Sequence, residues 1–204
     1  MILKIYPDNI NDKFIEKAVK TLKDGGIIII PTDTVYALVC DIYNNDAIDK
    51  ICRFRKIKLE KANFSFACSD LSHISDFTKP FSNEIFRLMK NTLPGPFTYI
   101  LNANSKVPGI FKSNKKTIGI RVPDNAIAKR LILDLGNPLM VTSVHNDDEY
   151  LDYLSDPEEI DATLGDQVDL VIDGGPGSLE PSTVIDCTGQ APILIREGKG
   201  ILPD

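Results

Sequence analysis

No Cys-x-x-Cys pair occurs in this chain. Its four cysteines, Cys40, Cys52, Cys68 and Cys187, are scattered, and its two histidines are His73 and His145. A structural zinc site draws about four such ligands from short spacings, so none is expected here. Isolated cysteines of this kind read as buried, reduced thiols of a cytoplasmic protein. Long apolar runs are missing too. A run such as Ile27–Ile30 falls far short of the roughly 20 residues a membrane helix needs. The opening MILKIYPDN is too short and too interrupted for a secretory leader. The expectation is a cytoplasmic protein with no membrane association. Internal repeats and low-complexity stretches are absent as well.

Two familiar phosphate cradles can be set aside. The glycines of Asp173-Gly174-Gly175-Pro176-Gly177 do not open a helix at dinucleotide or P-loop spacing. A serine-hydrolase triad fails as well. Ser143 and His145 stand two apart, on the same side of any strand, which does not make a nucleophile and its base. No catalytic residue is singled out.

What is present suits one globular domain over residues 1–204. Hydrophobic residues make up 43% of the chain, enough to bury a core, and the 25% charged residues argue against disorder. The net charge of −6 disfavours non-specific nucleic-acid binding but permits a local basic site.

Strand and helix signals alternate. Residues 1–6 read as a short strand. Asn11 caps a helix with Phe14, Ile15, Ala18, Val19 and Leu22 on one stripe, ended by Gly25 and Gly26. Further helices start at Asn45, Ser82, Asp124 and Asp156, the last with Pro157 in its first turn. Strands are expected at 27–30, 64–68, 97–101, 117–122, 139–142, 168–172, 183–186 and 193–195. About nine strands and five helices in mixed order predict an α/β (α+β) fold, with a twisted, mixed sheet and helices packed around it.

Several segments could carry chemistry. Pro31-Thr32-Asp33-Thr34 follows a buried strand, where ligands of open α/β sheets sit, though a polar turn explains it equally. Arg53, Arg55, Lys56, Lys58 and Lys61 crowd nine residues. They complement a helix end, or they meet a triphosphate or an RNA backbone. Arg121 stands in the apolar strand Thr117–Val122, so it must be ion-paired or face a ligand carboxylate. Thr142-Ser143 ends an apolar strand, Pro181-Ser182-Thr183-Val184-Ile185-Asp186 comes after the glycine-rich stretch 173–177, and Arg196-Glu197-Gly198 follows a short apolar strand. Segment 145–156 is acidic and reads as a solvated loop.

Together and in this order, these segments resemble the YrdC-like family. PTDTVYALVCD, TIGIRVPDN, PSTVIDCTG and ILIREGKG look like its successive signatures. RFRKIKLEKANFSFACSDLS looks most like the YciO branch. The resemblance implies a concave, positively lined cavity in a twisted sheet. It also implies threonylcarbamoyl-AMP synthesis: ATP, bicarbonate and L-threonine give the adenylate and pyrophosphate, for use in tRNA modification. By position, Thr32, Arg121 and Ser182 match threonine contacts. Lys56, Lys58, Thr117, Ser143 and Arg196 match the nucleotide side. Mg²⁺ is expected with ATP. Some relatives are described as binding double-stranded RNA, for which Arg53, Arg55, Lys58 and Lys61 are the candidates here. An extra C-terminal domain, as in longer synthases, is not expected.

The chain departs from the family pattern in places. Lys-x-Arg appears as Lys56-Ile57-Lys58, which keeps the charge but loses a bidentate fork. Ser-x-Asn appears as Ser143-Val144-His145, with Asn146 one residue on. Asn63-Phe64 stands where synthases carry Pro-Leu, and Ala37 replaces a glycine. These changes fall in the cavity and bear on turnover more than on the fold. Two alternatives remain beside the synthase reading: an RNA- or ribosome-binding module without synthesis, and an enzyme for a different carboxylic acid.

Overall fold

A computed structural model describes residues 1–59, 62, 64–111, 116–144 and 153–203. Lys61, Asn63, His145 and Asn146 lie outside the described residues, as does most of segment 145–156.

Among the described residues, ten strands form one mixed sheet. They are β1 (Ile2–Lys4), β2 (Ile28–Ile30), β3 (Ala37–Asp41), β4 (Ser65–Ala67), β5 (Phe97–Asn102), β6 (Thr117–Arg121), β7 (Leu139–Ser143), β8 (Leu170–Asp173), β9 (Thr183–Asp186) and β10 (Ile193–Arg196). Their spatial order is β1-β8-β2-β3-β7-β4-β6-β5-β9-β10. Parallel and antiparallel pairs are interspersed: β1 and β2 run parallel to β8, whereas β3 runs antiparallel to both β2 and β7. The expected mixed α/β architecture is what the chain adopts.

Among the described residues, six α-helices accompany the sheet: α1 (Asp12–Lys23), α2 (Asn45–Phe54), α3 (Leu71–Ser75), α4 (Asn83–Thr92), α5 (Ala126–Leu135) and α6 (Pro157–Leu164). Their starts follow capping chemistry. The side chains of Asn11, Asn44, Ser82 and Asp156 each accept a backbone N–H of the first turn. The cap of α5 is Asn125 rather than Asp124, because the Asn125 side chain accepts from both Ile127 and Ala128. Gly136 closes that helix at φ 81, a left-handed conformation that glycine takes without steric cost.

Two elements escaped the sequence reading. Strand β3 is buried on both faces, so its apolar residues do not alternate with polar ones. Helix α3 is one short turn-and-a-half capped by Asp70, too brief to show a period.

Side chains of the central strands divide between two cores. On β2, β3 and the residue before β2, Ile27, Ile29, Leu38 and Cys40 enter one; Ile28, Ile30, Ala37 and Val39 enter the other. In the second core α1 and α5 cover the sheet. Ile15, Ala18, Leu22, Ile127, Leu131 and Leu135 are buried there against β2, β3, β7 and β8. Each of these isoleucines and leucines contributes about 1.5–3 kcal/mol by leaving water. The α1–α5 layer does not extend over β5, β6, β9 and β10, and that uncovered floor holds the candidate site.

Candidate active site

The alternation of β6 shows how the floor is made. In Thr117-Ile118-Gly119-Ile120-Arg121, the two isoleucines enter the first core. Thr117, Gly119 and Arg121 face the opposite side and line a cavity of about 760 Å³. The same period of two puts Tyr99 and Ile185 in the core but Thr98, Ile100, Val184 and Asp186 in the cavity. Ser182, Ser143 and Arg196 complete the sequence-derived residues that line it.

Gly119 keeps the floor low. A Cβ there would lie 2.5 Å from Ser65 Oγ and 3.5 Å from Thr98 Cγ2. Gly198 has a matching role behind Ser182: its Cβ would stand 2.4 Å from the Pro181 carbonyl oxygen. These two glycines are needed for close approach of backbone and side chain, not for an unusual φ.

Arg121 dominates the electrostatics. It is 7% exposed, and its Nη2 donates to Asp33 Oδ1 at 2.6 Å and to Thr34 Oγ1 at 3.0 Å. Of the two readings for this arginine, the ion pair is therefore present, on a residue that also faces the cavity. Burial pushes the Arg121 pKa down; Asp33 opposes that push and the nearby Arg196 adds to it. The pairing is incomplete. Arg121 Nε and Asp33 Oδ2 are both buried without a hydrogen-bond partner. Lys199 Nζ donates to the Asp33 carbonyl at 2.6 Å, bringing a further cation to the same turn.

Ser182 is buried, and its Oγ shares a 2.7 Å hydrogen bond with Thr98 Oγ1. Arg196 Nη2 donates to the Ser182 carbonyl at 2.8 Å, which fixes the guanidinium at the cavity wall. Thr32 lies differently. Its hydroxyl donates to the Val35 carbonyl at 2.7 Å and accepts from Thr34 N–H at 3.0 Å. It shapes the turn that presents Asp33 and is absent from the cavity lining. Tyr36 ties this turn to the glycine-rich loop by donating to the Gly175 carbonyl at 2.7 Å. Burial raises its phenol pKa to about 12.

The basic cluster sits at the C-terminal end of α2. Arg53, Lys56 and Lys58 are exposed there, outside the cavity lining. Lys56 has φ 50. Its N–H bonds the Arg53 carbonyl and the Ile57 N–H bonds the Cys52 carbonyl. This is a Schellman closure with lysine where glycine is usual. Arg53 lines a separate cleft of about 370 Å³ with Lys50, Asp166 and Asp169. Two of those groups are already engaged by backbone, Lys50 with the Gly25 carbonyl and Asp169 with the Ile27 N–H.

Sequence reasoning did not find Asp33 as the partner of Arg121, nor Thr98, Asp186 and Lys199 beside the other residues. The alternation in Phe97-Thr98-Tyr99-Ile100 was a usable signal for Thr98. The Asp33–Arg121 contact had none, because 88 residues separate the two. Among the described residues no cluster of three or more His, Cys, Asp or Glu could hold a metal ion. No helix among them is long and apolar enough to cross a membrane.

A mixed sheet with helices packed on both faces, and a polar, arginine-bearing hollow where the α1–α5 layer ends, defines an α/β fold with an open polar cavity. The Sua5/YciO/YrdC family profile, described as telomere recombination, matches residues 20–198, and the chain belongs to this family. It is 43% identical to the protein YciO of Escherichia coli strain K12 over 198 residues, covering 96% of this chain and 94% of that protein. The crystal structure of E. coli YciO superposes with a TM-score of 0.91, covering 98% of this chain and 97% of that one. A threonylcarbamoyl-AMP synthase of Coxiella burnetii strain RSA 493 is 30% identical over 180 residues, 88% of this chain and 92% of that protein. The P. abyssi Sua5 structure complexed with L-threonine shares the fold at TM-score 0.88 and 24% identity, covering 97% of this chain and 57% of that one.

Proposed function

We propose that this chain binds ATP and L-threonine in the cavity and, with bicarbonate, forms threonylcarbamoyl-AMP and pyrophosphate. One observation carries the reading: a nearly buried arginine, Arg121, faces the same hollow as Ser182, Thr117, Ser143 and Arg196. In this reading Arg121 and Ser182 hold the amino acid, with Thr32 shaping their turn. Thr117, Ser143 and Arg196 hold the nucleotide, and Lys56 and Lys58 approach its phosphates from the end of α2. No side chain acts as a nucleophile. The residues orient the reactants and offset phosphate charge. Mg²⁺ enters with ATP as part of the substrate. Relatives named as synthases, and a relative solved with L-threonine, support the reading.

The test is incubation of purified protein with ATP, Mg²⁺, bicarbonate and L-threonine, followed by mass spectrometry for the adenylate. Adduct that disappears in Arg121→Ala supports the reading; no adduct beside an active relative overturns it.

A second reading rests on the exposed cations Arg53, Lys56 and Lys58, with Arg55 close behind. They would contact tRNA or another double-stranded RNA. RNA affinity that falls steeply with salt and drops in Arg53→Ala/Lys58→Ala would support it.

A further inference from the structure

Asp186 brings a carboxylate to the cavity wall, in a place that neither the ion pair nor the amino-acid contacts explain. It lies on β9, two residues beyond Val184, and faces the hollow while Ile185 and Cys187 face the core. Among the described residues, its hydrogen bonds within the fold fall on one oxygen. Oδ1 accepts from Thr188 N–H at 2.8 Å and from Thr188 Oγ1 at 2.7 Å. The carboxylate is thereby held in orientation, and Oδ2 is left as the oxygen it can offer a ligand.

Its place along the cavity is set by register. Asp186 pairs with Ile100, Ile100 with Gly119, Gly119 with Ser65, and Ser65 with Val141. That row is otherwise uncharged. Arg121 lies two residues further along β6 in one direction, and Arg196 pairs with Val184 on the same side. Thr117 lies two residues along β6 in the other direction, and Ser143 lies two residues beyond Val141 on that side. Along the strand direction, at about 3.3 Å per residue, Arg121 and Thr117 stand roughly 13 Å apart, and Asp186 is level with the middle of that span, two strands away on β9. A carboxylate without a bound cation repels phosphate oxygens. Its chemical complement is a pair of hydroxyl donors. In a nucleotide lying along this floor, the sugar is the unit between phosphate and base.

We propose that Asp186, oriented by Thr188, accepts hydrogen bonds from the ribose hydroxyls of the nucleotide and makes the cavity selective for ribonucleotides. The assignment rests on the nucleotide reading above. An acidic residue reads a ribose 2′-hydroxyl in the same chemical manner in dinucleotide folds. Here it does so from a strand of a mixed sheet.

The experiment is equilibrium binding of ATP and of 2′-deoxyATP, each with Mg²⁺, to the wild-type chain, Asp186→Asn and Thr188→Val. Wild type should bind ATP about tenfold more tightly than 2′-deoxyATP, the loss of one charge-assisted hydrogen bond. Asp186→Asn should weaken ATP about tenfold and bring the two ligands close to parity. Thr188→Val should fall between, with circular dichroism reporting that all three chains are folded. Equal wild-type affinity for ATP and 2′-deoxyATP overturns the assignment while leaving the nucleotide site standing. Weaker binding of inosine triphosphate in place of that sugar effect would mean the carboxylate reads the base, which also overturns it. If wild type binds neither ATP nor 2′-deoxyATP, the nucleotide reading itself falls and takes this assignment with it.

Discussion

Arg121 and Asp33 meet across the floor of the sheet through a single 2.6 Å contact, with side chains 9% and 10% exposed. The one-point geometry leaves Arg121 Nε and Asp33 Oδ2 without partners in a buried place. A pair of this kind is poor evidence for stability, yet breaking it is costly because it strands a charge. Asp33→Ala should therefore destabilise the chain by about 3–5 kcal/mol. The double variant Asp33→Leu/Arg121→Met should recover most of that loss. Urea denaturation of the three chains measures both effects, and a double variant no better than Asp33→Ala would contradict the argument.

Lys56 offers a separation of stability from function. Its φ of 50 is a left-handed conformation in a Schellman closure. An L side chain there costs about 1–2 kcal/mol. Lys56→Gly is expected to raise stability by about 1 kcal/mol by relieving that strain. The same change removes a cation assigned to the phosphates, so ATP affinity should fall several-fold. A chain that loses both stability and affinity would show that the lysine stem packs usefully.

The floor at Gly119 should be intolerant of added volume. A Cβ there meets Ser65 Oγ at 2.5 Å. Gly119→Ala should cost about 1–3 kcal/mol, the range for overpacking. Because the obstructing atom is the end of one short side chain, adding Ser65→Ala should return much of it. Thermal melts of the single and double variants decide this, and additive losses would place the strain in the backbone instead.

Stability should also fall as the medium becomes mildly acidic. His73 Nδ1 faces Ser69, 3.1 Å from its Oγ and 3.3 Å from its N–H donor. Burial lowers the His73 pKa, and Asp70 and Asp76 only partly oppose this. The unfolded chain, with a histidine near 6.5, takes up the proton first. Between that value and the depressed folded pKa, stability is lost as pH falls, and it is fully present above the window. Asp70 and Asp76 titrate lower, since both are held below the ordinary carboxylate value by hydrogen bonds. Urea midpoints at pH 7.5 and 5.5 should therefore differ more for wild type than for His73→Gln. Equal differences would remove His73 from the account.

The Tyr36 hydroxyl is a further buried tie. It donates to the Gly175 carbonyl at 2.7 Å and accepts from Gly174 N–H at 3.2 Å. Tyr36→Phe strands both backbone groups and should cost about 1–3 kcal/mol. The loosened loop lies beside the Asp33 turn, so a parallel loss of amino-acid binding is expected in a titration with L-threonine.

How much of this was legible in the chain depends on the range of the interaction. Caps, periods and turns act within a few residues. Asn11, Ser82, Asp156 and Gly136 could be placed by inspection, and the structure finds each at its helix end. The strand Thr117–Val122, apolar but for Arg121, is likewise legible in consecutive residues, and the structure has a strand at Thr117–Arg121. The sequence by itself thus determined the α/β class, most elements and part of the polar lining of the hollow. It did so because local backbone chemistry and alternation are written in consecutive residues.

Only the tertiary structure decided the rest. It paired Arg121 with Asp33 and brought Asp186 into the same cavity lining. It turned the Thr32 hydroxyl into its own turn and left Lys56 and Lys58 outside the lining. Strand order is the physical reason. The sheet places β6 between β4 and β5, and β9 beside β5, bringing together residues distant in the chain. Where the α1–α5 layer ends, polar side chains of the same alternation that elsewhere builds a core become the lining of a cavity.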